Sequence, residues 1–323
     1  MEFGLAPDQS KSNFDDMQRQ CQQAEALGFA ALWAHEHHSN AMMYPDPLMA
    51  LAAMAQVTSR VKLGTSMLLL PLHHPVRVAQ EAAMLDVLSD GRVWLGVANG
   101  YSKTDLQTFG VSSSHRGHRL SEGVQLLRQL WAGDPVTAEG EDFLLQDFEL
   151  FPLPVQRPGL PIYIGGHADV AVRRAAELGD NYFISATAGV EMVDDLIRTY
   201  RGFMGELGKP AEGVLLNRVM CVVENAKQKA DAEEFYARAL LALYASWGHD
   251  NITHLTEAER TVEHIARQNC IIGEAEECYE RICEYEALGV GHIACLPNFG
   301  MPPTDVMERS IRLFGERVQH RFF

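Results

Sequence analysis

Hydrophobic positions fall in short runs that alternate with amphipathic segments along the whole chain. Short apolar runs predict buried strands, and apolar residues at every third or fourth position predict helices. Eight such runs each lead towards a helix: "MEFGLAP", "FAALWA", "VKLGTSMLLLP", "RVWLGVANG", "PIYIGG", "NYFISA", "EGVLLNRVMCVVE" and "VGHIACLPN". This order predicts parallel strands joined by helices.

The number of strand–helix units separates two arrangements of a parallel sheet. An open sheet with a Rossmann site would place G-x-G-x-x-G after the first strand, and "MEFGLAPDQS" lacks it. Eight units in 323 residues favour a (β/α)₈ TIM barrel with eight parallel strands, because such barrels take about 250 residues and two insertions fill the rest. We therefore expect one domain over residues 1–323, with insertions at about 134–160 after strand four and about 225–269 after strand seven.

Composition and charge narrow the classes of protein. Hydrophobic residues make up 47% of the chain and the formal net charge is −16, which disfavours a nucleic-acid surface. The apolar runs are far shorter than the roughly 20 residues of a membrane span, and no secretion signal opens the sequence. Six scattered cysteines without paired zinc spacing indicate reduced thiols, several of them buried. We expect a cytoplasmic protein without a membrane or nucleic-acid partner.

A cluster of histidines follows the second predicted strand, in "LWAHEHHSNAM". The carboxyl ends of barrel strands form the open face where reactive groups gather, so Glu36 and His37 are expected there. Imidazole titrates near neutrality, which makes His37 a candidate proton donor or acceptor, whereas His35 and His38 are expected to support the loop.

A metal site is the alternative interpretation of the same cluster, because barrel hydrolases use His-x-His after an early strand. Further ligands would have to end later strands, and the histidines available for this are His73, His74, His167 and His292. Strand four ends "VANGYS" and strand six ends "ISATAG", and neither offers a ligand. The pattern therefore disfavours metal catalysis and leaves a metal-dependent hydrolase as an alternative.

Other strand ends suit a large planar ligand. In "GTSMLL", small side chains stand where something flat would lie. Strand four ends with Asn99, whose amide can face polar ring edges, followed closely by Tyr101.

A possible anion site follows strand five. Gly165 and Gly166 lead straight into a helix, where bare backbone N–H groups and the helix dipole can hold a phosphate. Arg116 and Arg119, at the start of the fourth helix, could reach the same anion. A tight turn and two solvated arginines are the alternative interpretation.

Together these stretches resemble the bacterial luciferase-like, flavin-dependent monooxygenases. The matching segments run in the family's order: "MEFGL", "GFAALWAHEHHS", "VKLGTSMLLLPLHHPVRVAQEAAMLDVLSDGRVWLGVANGYSKTDLQTFGV", "RLSEGVQLLRQLW", "PIYIGGHADVAVRRAAELGD" and "IIGEAEECYERICEYEALGVGHI". The resemblance implies a (β/α)₈ barrel that binds reduced FMN as a co-substrate, supplied by a separate flavin reductase. It also implies transfer of one oxygen atom from dioxygen to a small apolar or aromatic substrate.

The resemblance assigns roles to particular residues. His37 falls at the family's active-site histidine, and Glu36 would orient it or bond the flavin ring. Ser66-Met67 falls where the family often has a non-prolyl cis peptide beneath the ring. Phosphate binding would rest on backbone amides, His167, and Arg116 or Arg119.

The resemblance also bears on the second insertion, the oligomeric state and the alternative functions. Residues 225–269 lie where the family has a mobile segment, so Trp247, His249 and His254 are candidates for lining the substrate cavity. The family commonly forms dimers through the helices after strands two and three, so we expect a homodimer. A deazaflavin-dependent reductase or dehydrogenase is the main alternative, and FMN is preferred because "EHH" resembles the FMN branch. A non-catalytic flavin-binding protein is a further alternative.

Overall fold

The eight strands predicted from the sequence lie side by side in chain order, and the last pairs with the first. The computed structural model describes residues 1–10, 14–38 and 40–322. The strands are β1 (Glu2–Leu5), β2 (Ala31–Ala34), β3 (Lys62–Thr65), β4 (Val93–Val97), β5 (Val136–Glu139), β6 (Leu144–Phe148), β7 (Ile162–Gly165), β8 (Asn181–Ile184), β9 (Val214–Val222), β10 (Cys270–Gly273) and β11 (Val290–Leu296).

The helices alternate with these strands and lie outside them. They are α1 (Phe14–Leu27), α2 (Pro47–Ala55), α3 (Pro75–Leu88), α4 (Lys103–Thr108), α5 (Arg116–Ala132), α6 (Asp169–Leu178), α7 (Val190–Glu206), α8 (Ala226–Ser246), α9 (Asp250–Thr253), α10 (Val262–Asn269), α11 (Ala275–Leu288) and α12 (Thr304–Arg317). Within the residues that the structure describes, no helix is both long and apolar enough to span a membrane.

The barrel follows the order β1-β2-β3-β4-β7-β8-β9-β11 and closes through parallel pairing of β1 with β11. Pairing of β8 with β9, in register at Phe183 and Leu215, joins the two halves of the sheet. The predicted (β/α)₈ barrel is therefore confirmed. The fourth barrel helix is α5, and the short helix α4 precedes it.

Three further strands lie in or beside the two long connections. Within the insertion predicted at about 134–160, β5 and β6 form an antiparallel hairpin, because Val136 and Leu145 supply one buried face. After the helical segment α8 to α10, β10 pairs with the distal half of β9, with Cys270 beside Val219.

The barrel interior is filled by aromatic side chains, and Trp33 is the largest of them. The Trp33 ring lies against Gly4 and Gly64, where an added Cβ would come within 2.2 Å of the ring. Its indole N–H donates to Nε2 of the buried His292 at 3.1 Å, and Trp94 packs beside it. Because the interior is plugged in this way, the open space lies towards the carboxyl ends of the strands.

The six cysteines form no disulfide, and five of them are buried. Burial raises the pKa of the Cys21 thiol to about 12 and that of Cys221 to about 11, so these thiols are protonated at neutral pH. The predicted reduced, buried thiols are thus what the structure contains.

Candidate active site

A cavity of about 550 Å³ opens at the carboxyl ends of the barrel strands. The helical connection after β9 covers one side of it through Tyr244, Trp247 and His249. The site residues predicted from the sequence that line this cavity are Glu36, His37, Ser66, Met67, Asn99, Tyr101, Arg116, Gly165, Gly166 and His167. The structure thus brings together residues that lie far apart in the sequence.

The two arginines predicted to bind an anion differ in their surroundings. The guanidinium of Arg119 donates to the carbonyl of Pro71 at 2.7 Å and pairs with Asp142 at 3.2 Å, and it stacks over Phe143. Arg119 is not among the residues that line the cavity. Arg116 does line it, and no carboxylate of the described chain pairs with its guanidinium. Arg116 is therefore the arginine that remains available to an anion.

Glu36 holds two loops together below the mouth of the cavity. One carboxylate oxygen accepts from Nε2 of His38 at 2.9 Å and from Nε2 of His73 at 2.8 Å. The other accepts from the backbone amide of Leu69 at 2.7 Å. Burial alone would raise the pKa of Glu36, but these three hydrogen bonds lower it below its ordinary value. The buried group is therefore a carboxylate that positions the loops after β2 and β3.

His73 is the charged partner of that carboxylate. Its burial lowers the pKa, but the hydrogen bond to Glu36 and the nearby negative charge outweigh burial and raise it. The two opposite shifts describe an imidazolium–carboxylate pair. Glu36 is the neighbour of His37 on the loop after β2, and its three hydrogen bonds hold that loop in place.

His37 presents one ring nitrogen to the cavity. Its Nδ1 lies 2.9 Å from the carbonyl oxygen of His38, and only a protonated nitrogen can donate to a carbonyl. In the neutral ring Nε2 therefore carries the lone pair, and it lies 3.5 Å from the hydroxyl of Tyr101. Trp247 covers the imidazole with ring centroids 4.1 Å apart. This arrangement suits a proton acceptor shielded from water.

The floor of the cavity contains the predicted non-prolyl cis peptide, between Ser66 and Met67. The Ser66 hydroxyl accepts from the side-chain amide of Asn217 at 3.0 Å and lies 3.4 Å from Nε2 of His35. Gln9 donates to Nδ1 of His35 at 2.9 Å. Burial lowers the pKa of His35 to about 4, so this ring is neutral and serves as a support.

The diglycine turn after β7 needs glycine for steric reasons. Gly166 has φ +150°, and an added Cβ would lie 2.6 Å from the Cβ of Ala171. An added Cβ on Gly165 would press on Met67 and the carbonyl of Phe183. The α6 helix starts directly after the turn, and its N-cap, Ala168, provides no capping side chain. The first turn of α6 therefore has no side-chain cap, which is a setting in which helix N-termini can bind anions.

A hydrogen-bond chain joins this turn to the helical connection above it. Asn251 on α9 donates to Nδ1 of His167 at 2.6 Å, so Nε2 of His167 carries the proton and donates to Ser185 at 3.1 Å. Ser185 bonds Thr187 at 2.7 Å, and Thr187 lies 3.3 Å from Nε2 of His249. Burial, together with the neighbouring His249, lowers the pKa of His167 to about 4. The chain is therefore uncharged.

Three buried polar atoms of cavity-lining residues have no hydrogen-bond partner within the described part of the chain: Oδ1 of Asn99, Oδ2 of Asp105 and Nδ1 of His249. A buried acceptor without a partner costs about 1–3 kcal/mol, which a bound ligand would recover. The three atoms therefore fit a cavity that takes a polar ligand.

Sequence reasoning missed several residues of the site, among them Gln9, Asn217, Ser185, Thr187 and Asn251. Gln9 and Asn217 follow or lie in strands, where their polarity in an apolar run was an available signal. Asn251 belongs to the second insertion and had no such signal. Of the three insertion residues predicted to line the cavity, Trp247 and His249 do so and His254 does not.

The metal alternative finds no ligand set at this cavity. Within the described ranges, the groups of three His and carboxylate side chains whose ligand atoms converge lie on α5 and the β5–β6 hairpin. At the cavity, the carboxylate of Glu36 is already bound by three donors.

A closed (β/α)₈ barrel with a mixed polar and aromatic cavity at the carboxyl ends of its strands has the layout in which barrel enzymes place their active sites. The sequence matches the luciferase-like monooxygenase family over residues 1–292. The chain therefore belongs to that family of oxidoreductases, as the sequence motifs predicted.

Relatives in the family use two kinds of cofactor. The oxygenase component of the flavin-dependent trigonelline monooxygenase of Acinetobacter baylyi is 26% identical over 310 residues, covering 90% of this chain and 85% of that protein. The F420-dependent glucose-6-phosphate dehydrogenase of Microbacterium testaceum is 29% identical over 311 residues, covering 92% and 90%. The crystal structure of monooxygenase RslO1 from Streptomyces bottropensis shares the fold, with a TM-score of 0.87 at 24% identity and 100% coverage of both chains.

Proposed function

We propose that the protein is a monooxygenase that uses reduced FMN and dioxygen to oxygenate a small apolar or aromatic substrate. One observation carries the proposal: His37, the unpartnered acceptor of Asn99, the diglycine turn and the unpaired Arg116 line a single cavity. Each of these features matches a different part of FMN. Bound reduced FMN would supply the activation of dioxygen.

The ring of FMN has polar edges that suit this cavity. Oδ1 of Asn99, a buried acceptor without a partner, would receive a ring N–H. The Ser66-Met67 peptide would support the flat face of the ring, since Met67 packs towards the glycines of β4 and β7.

The phosphate of FMN would bind at the diglycine turn. The first amides of α6 donate there, and Arg116 supplies the positive charge because the guanidinium of Arg119 is held by Asp142. His167 is neutral, so it contributes position and shape to this end of the cavity and no charge.

The cover over this turn favours FMN over the deazaflavin F420. Asn251 bonds His167 directly, which places α9 over the end of the cavity. FMN ends in its phosphate monoester, whereas the phosphate of F420 is a diester that continues into a further chain. A turn that α9 covers therefore suits FMN, because FMN ends at its phosphate.

His37 would manage protons beside the ring. The carbonyl of His38 holds Nδ1 in its protonated form, so Nε2 is the atom that takes or returns a proton. Trp247 packs against His37 in a tilted arrangement and would shield it from water. The aromatic lining supplied by Tyr244 and Trp247 favours apolar or aromatic substrates.

Two partners complete the proposal. The trigonelline relative is an oxygenase component, which supports a separate flavin reductase as the source of reduced FMN. A homodimer through α2 and α3 is supported by exposed apolar side chains on these helices, of which Met49 is 71%, Met84 50% and Leu88 51% exposed.

Anaerobic titration with reduced FMN and with reduced F420, followed by admission of dioxygen, tests the function. We expect binding of reduced FMN, weak binding of F420, and oxygen consumption by bound FMN at a rate different from that of the free flavin. Incubation of a panel of aromatic compounds with ¹⁸O-labelled dioxygen should yield a labelled product. Tight F420 binding without oxygen consumption would instead favour a deazaflavin-dependent dehydrogenase, the activity named for the Microbacterium testaceum relative.

A further inference from the structure

Outside the cavity, two histidines of α5 and an acidic residue of the hairpin turn lie close together. His115 is the N-cap of α5, His118 lies in its first turn, and Glu141 lies between β5 and β6. The ligand atoms of these three side chains all lie within 4.8 Å of one another. We propose that His115, His118 and Glu141 bind one divalent transition-metal ion, with zinc as the best match.

The distances around His118 fit metal ligands better than hydrogen bonds. Its Nε2 lies 3.4 Å from Oε2 of Glu141 and 3.4 Å from Oε2 of Glu122. A tetrahedral zinc ion with bonds of about 2.0–2.1 Å separates its ligand atoms by about 3.3 Å, whereas a good N–H···O bond measures about 2.9 Å. An ion between these groups therefore needs little movement.

Both imidazoles face the same carboxylate. Nε2 of His115 lies 3.9 Å from Oε1 of Glu141, whereas the oxygen near His118 is Oε2 of the same carboxylate. The two rings are close, with centroids 4.9 Å apart. Imidazole and carboxylate ligands together suit zinc and its neighbours in the first transition series.

The groups around the site are already held in place. Glu122 accepts from the backbone amides of Asp142 and Phe143 at 3.1 Å each, which fixes the hairpin turn against α5. Asp142 bonds Nε2 of His115 at 2.8 Å and also pairs with Arg119. On metal binding, the His115 ring would lose the proton that it shares with Asp142, and Asp142 would keep its pair with Arg119. A water molecule would complete the coordination of the ion.

The site is separate from the cavity, but α5 connects them. None of its three ligands lines the cavity, whereas Arg116, between the two histidines in sequence, does. A bound ion would fasten the hairpin to the first turn of α5 and so restrict the segment that carries Arg116. It would also stabilise the folded chain, since the ligands converge only when the hairpin is docked.

Zinc binding to the purified, chelator-treated full chain tests the proposal. We would titrate Zn²⁺ against a chromophoric competitor and by calorimetry, and measure the melting temperature with and without Zn²⁺. We expect one ion per chain and a higher melting temperature with zinc. The readout needs no flavin, so its result is independent of the proposed monooxygenase activity.

Two variants locate the ion. His118→Ala should weaken zinc binding at least tenfold and abolish the rise in melting temperature with zinc. Glu141→Gln should also weaken zinc binding, and this variant should fold normally because Glu141 lies on an exposed turn. His320→Ala removes an exposed histidine elsewhere and should bind like the original chain. No stoichiometric binding, or binding that neither Glu141→Gln nor a folded His118→Ala changes, would overturn the proposal.

Discussion

The buried pair of Glu36 and His73 makes a quantitative prediction about stability. Glu36→Gln keeps the shape of the side chain but removes its charge and one acceptor oxygen. Loss of one partner of a buried pair costs about 3–5 kcal/mol, and we take the lower end, about 3 kcal/mol, because the His73 side chain is 28% exposed. The direct coupling of the two side chains should be about 2 kcal/mol, the contribution of one charge-assisted hydrogen bond.

The pH dependence of this coupling follows from the two pKa shifts. The pKa of Glu36 is lowered from 4.5, so its contribution is complete above 4.5 and is lost as pH falls through the folded-state value. The pKa of His73 is raised from 6.5, so its contribution is complete below 6.5 and is lost as pH rises through the folded-state value. The coupling should therefore be greatest between these two values and decline on both sides.

A double-mutant cycle of Glu36→Gln and His73→Ala, measured by urea unfolding across this pH range, gives the coupling directly. The exposed i,i+4 pair of Arg238 and Glu234 serves as the matched control, since such pairs contribute only about 0.3–0.5 kcal/mol. A coupling near zero between the two values, or one that grows steadily towards alkaline pH, would refute the charged pair.

Four further predictions concern the cavity. His37→Ala should leave FMN binding nearly unchanged and lower oxygenation by about 100-fold, the usual scale for a lost acid–base group; unchanged product formation would contradict the role. Gly166→Ala should abolish FMN binding in calorimetry, because the new Cβ would clash with Ala171, and equal affinity would exclude the turn as the phosphate site. Arg116→Ala should weaken FMN about tenfold and riboflavin hardly at all, while equal losses for both would place the phosphate elsewhere. Asn251→Ala should release more hydrogen peroxide per reduced FMN oxidised, because the cover loses a hydrogen bond. An unchanged ratio of hydrogen peroxide to oxidised FMN would argue against a cover.

The barrel and its open face could be predicted because they depend on features that repeat. Each barrel strand is buried on both faces, so it appears in the sequence as an apolar run. The polar residues that follow these runs lie at the rim formed by the carboxyl ends of the strands. Glu36 and Asn99 were predicted by that rule, and both line the cavity. The cis peptide at Ser66-Met67 needed the family resemblance, since no property of the two residues predicts it.

The contacts between side chains could not be predicted in the same way. Glu36 was expected to orient His37 or bond the flavin ring, which stays a prediction. Its bond to His73 could not be predicted, because His73 lies 37 positions away in the sequence. The sequence gives no means of telling which of Arg116 and Arg119 is available to an anion. Their availability differs because Asp142 lies beside Arg119 in the folded chain. The hairpin that carries Asp142 was not predicted from the sequence, because its apolar face is short.

His167, next to the diglycine turn, is hydrogen-bonded to the helical connection after β9, and this has a thermodynamic consequence. His167 lines the turn, and its Nδ1 accepts the hydrogen bond from Asn251 that holds α9 in place. A ligand that orders His167 therefore favours the covered arrangement, and the cover in turn raises affinity for that ligand by the same factor. Because the pKa of His167 is about 4, this coupling should persist unchanged across neutral pH. Under the proposed function, cofactor binding at the turn and exclusion of water above His37 would thus be linked through an uncharged hydrogen-bond chain.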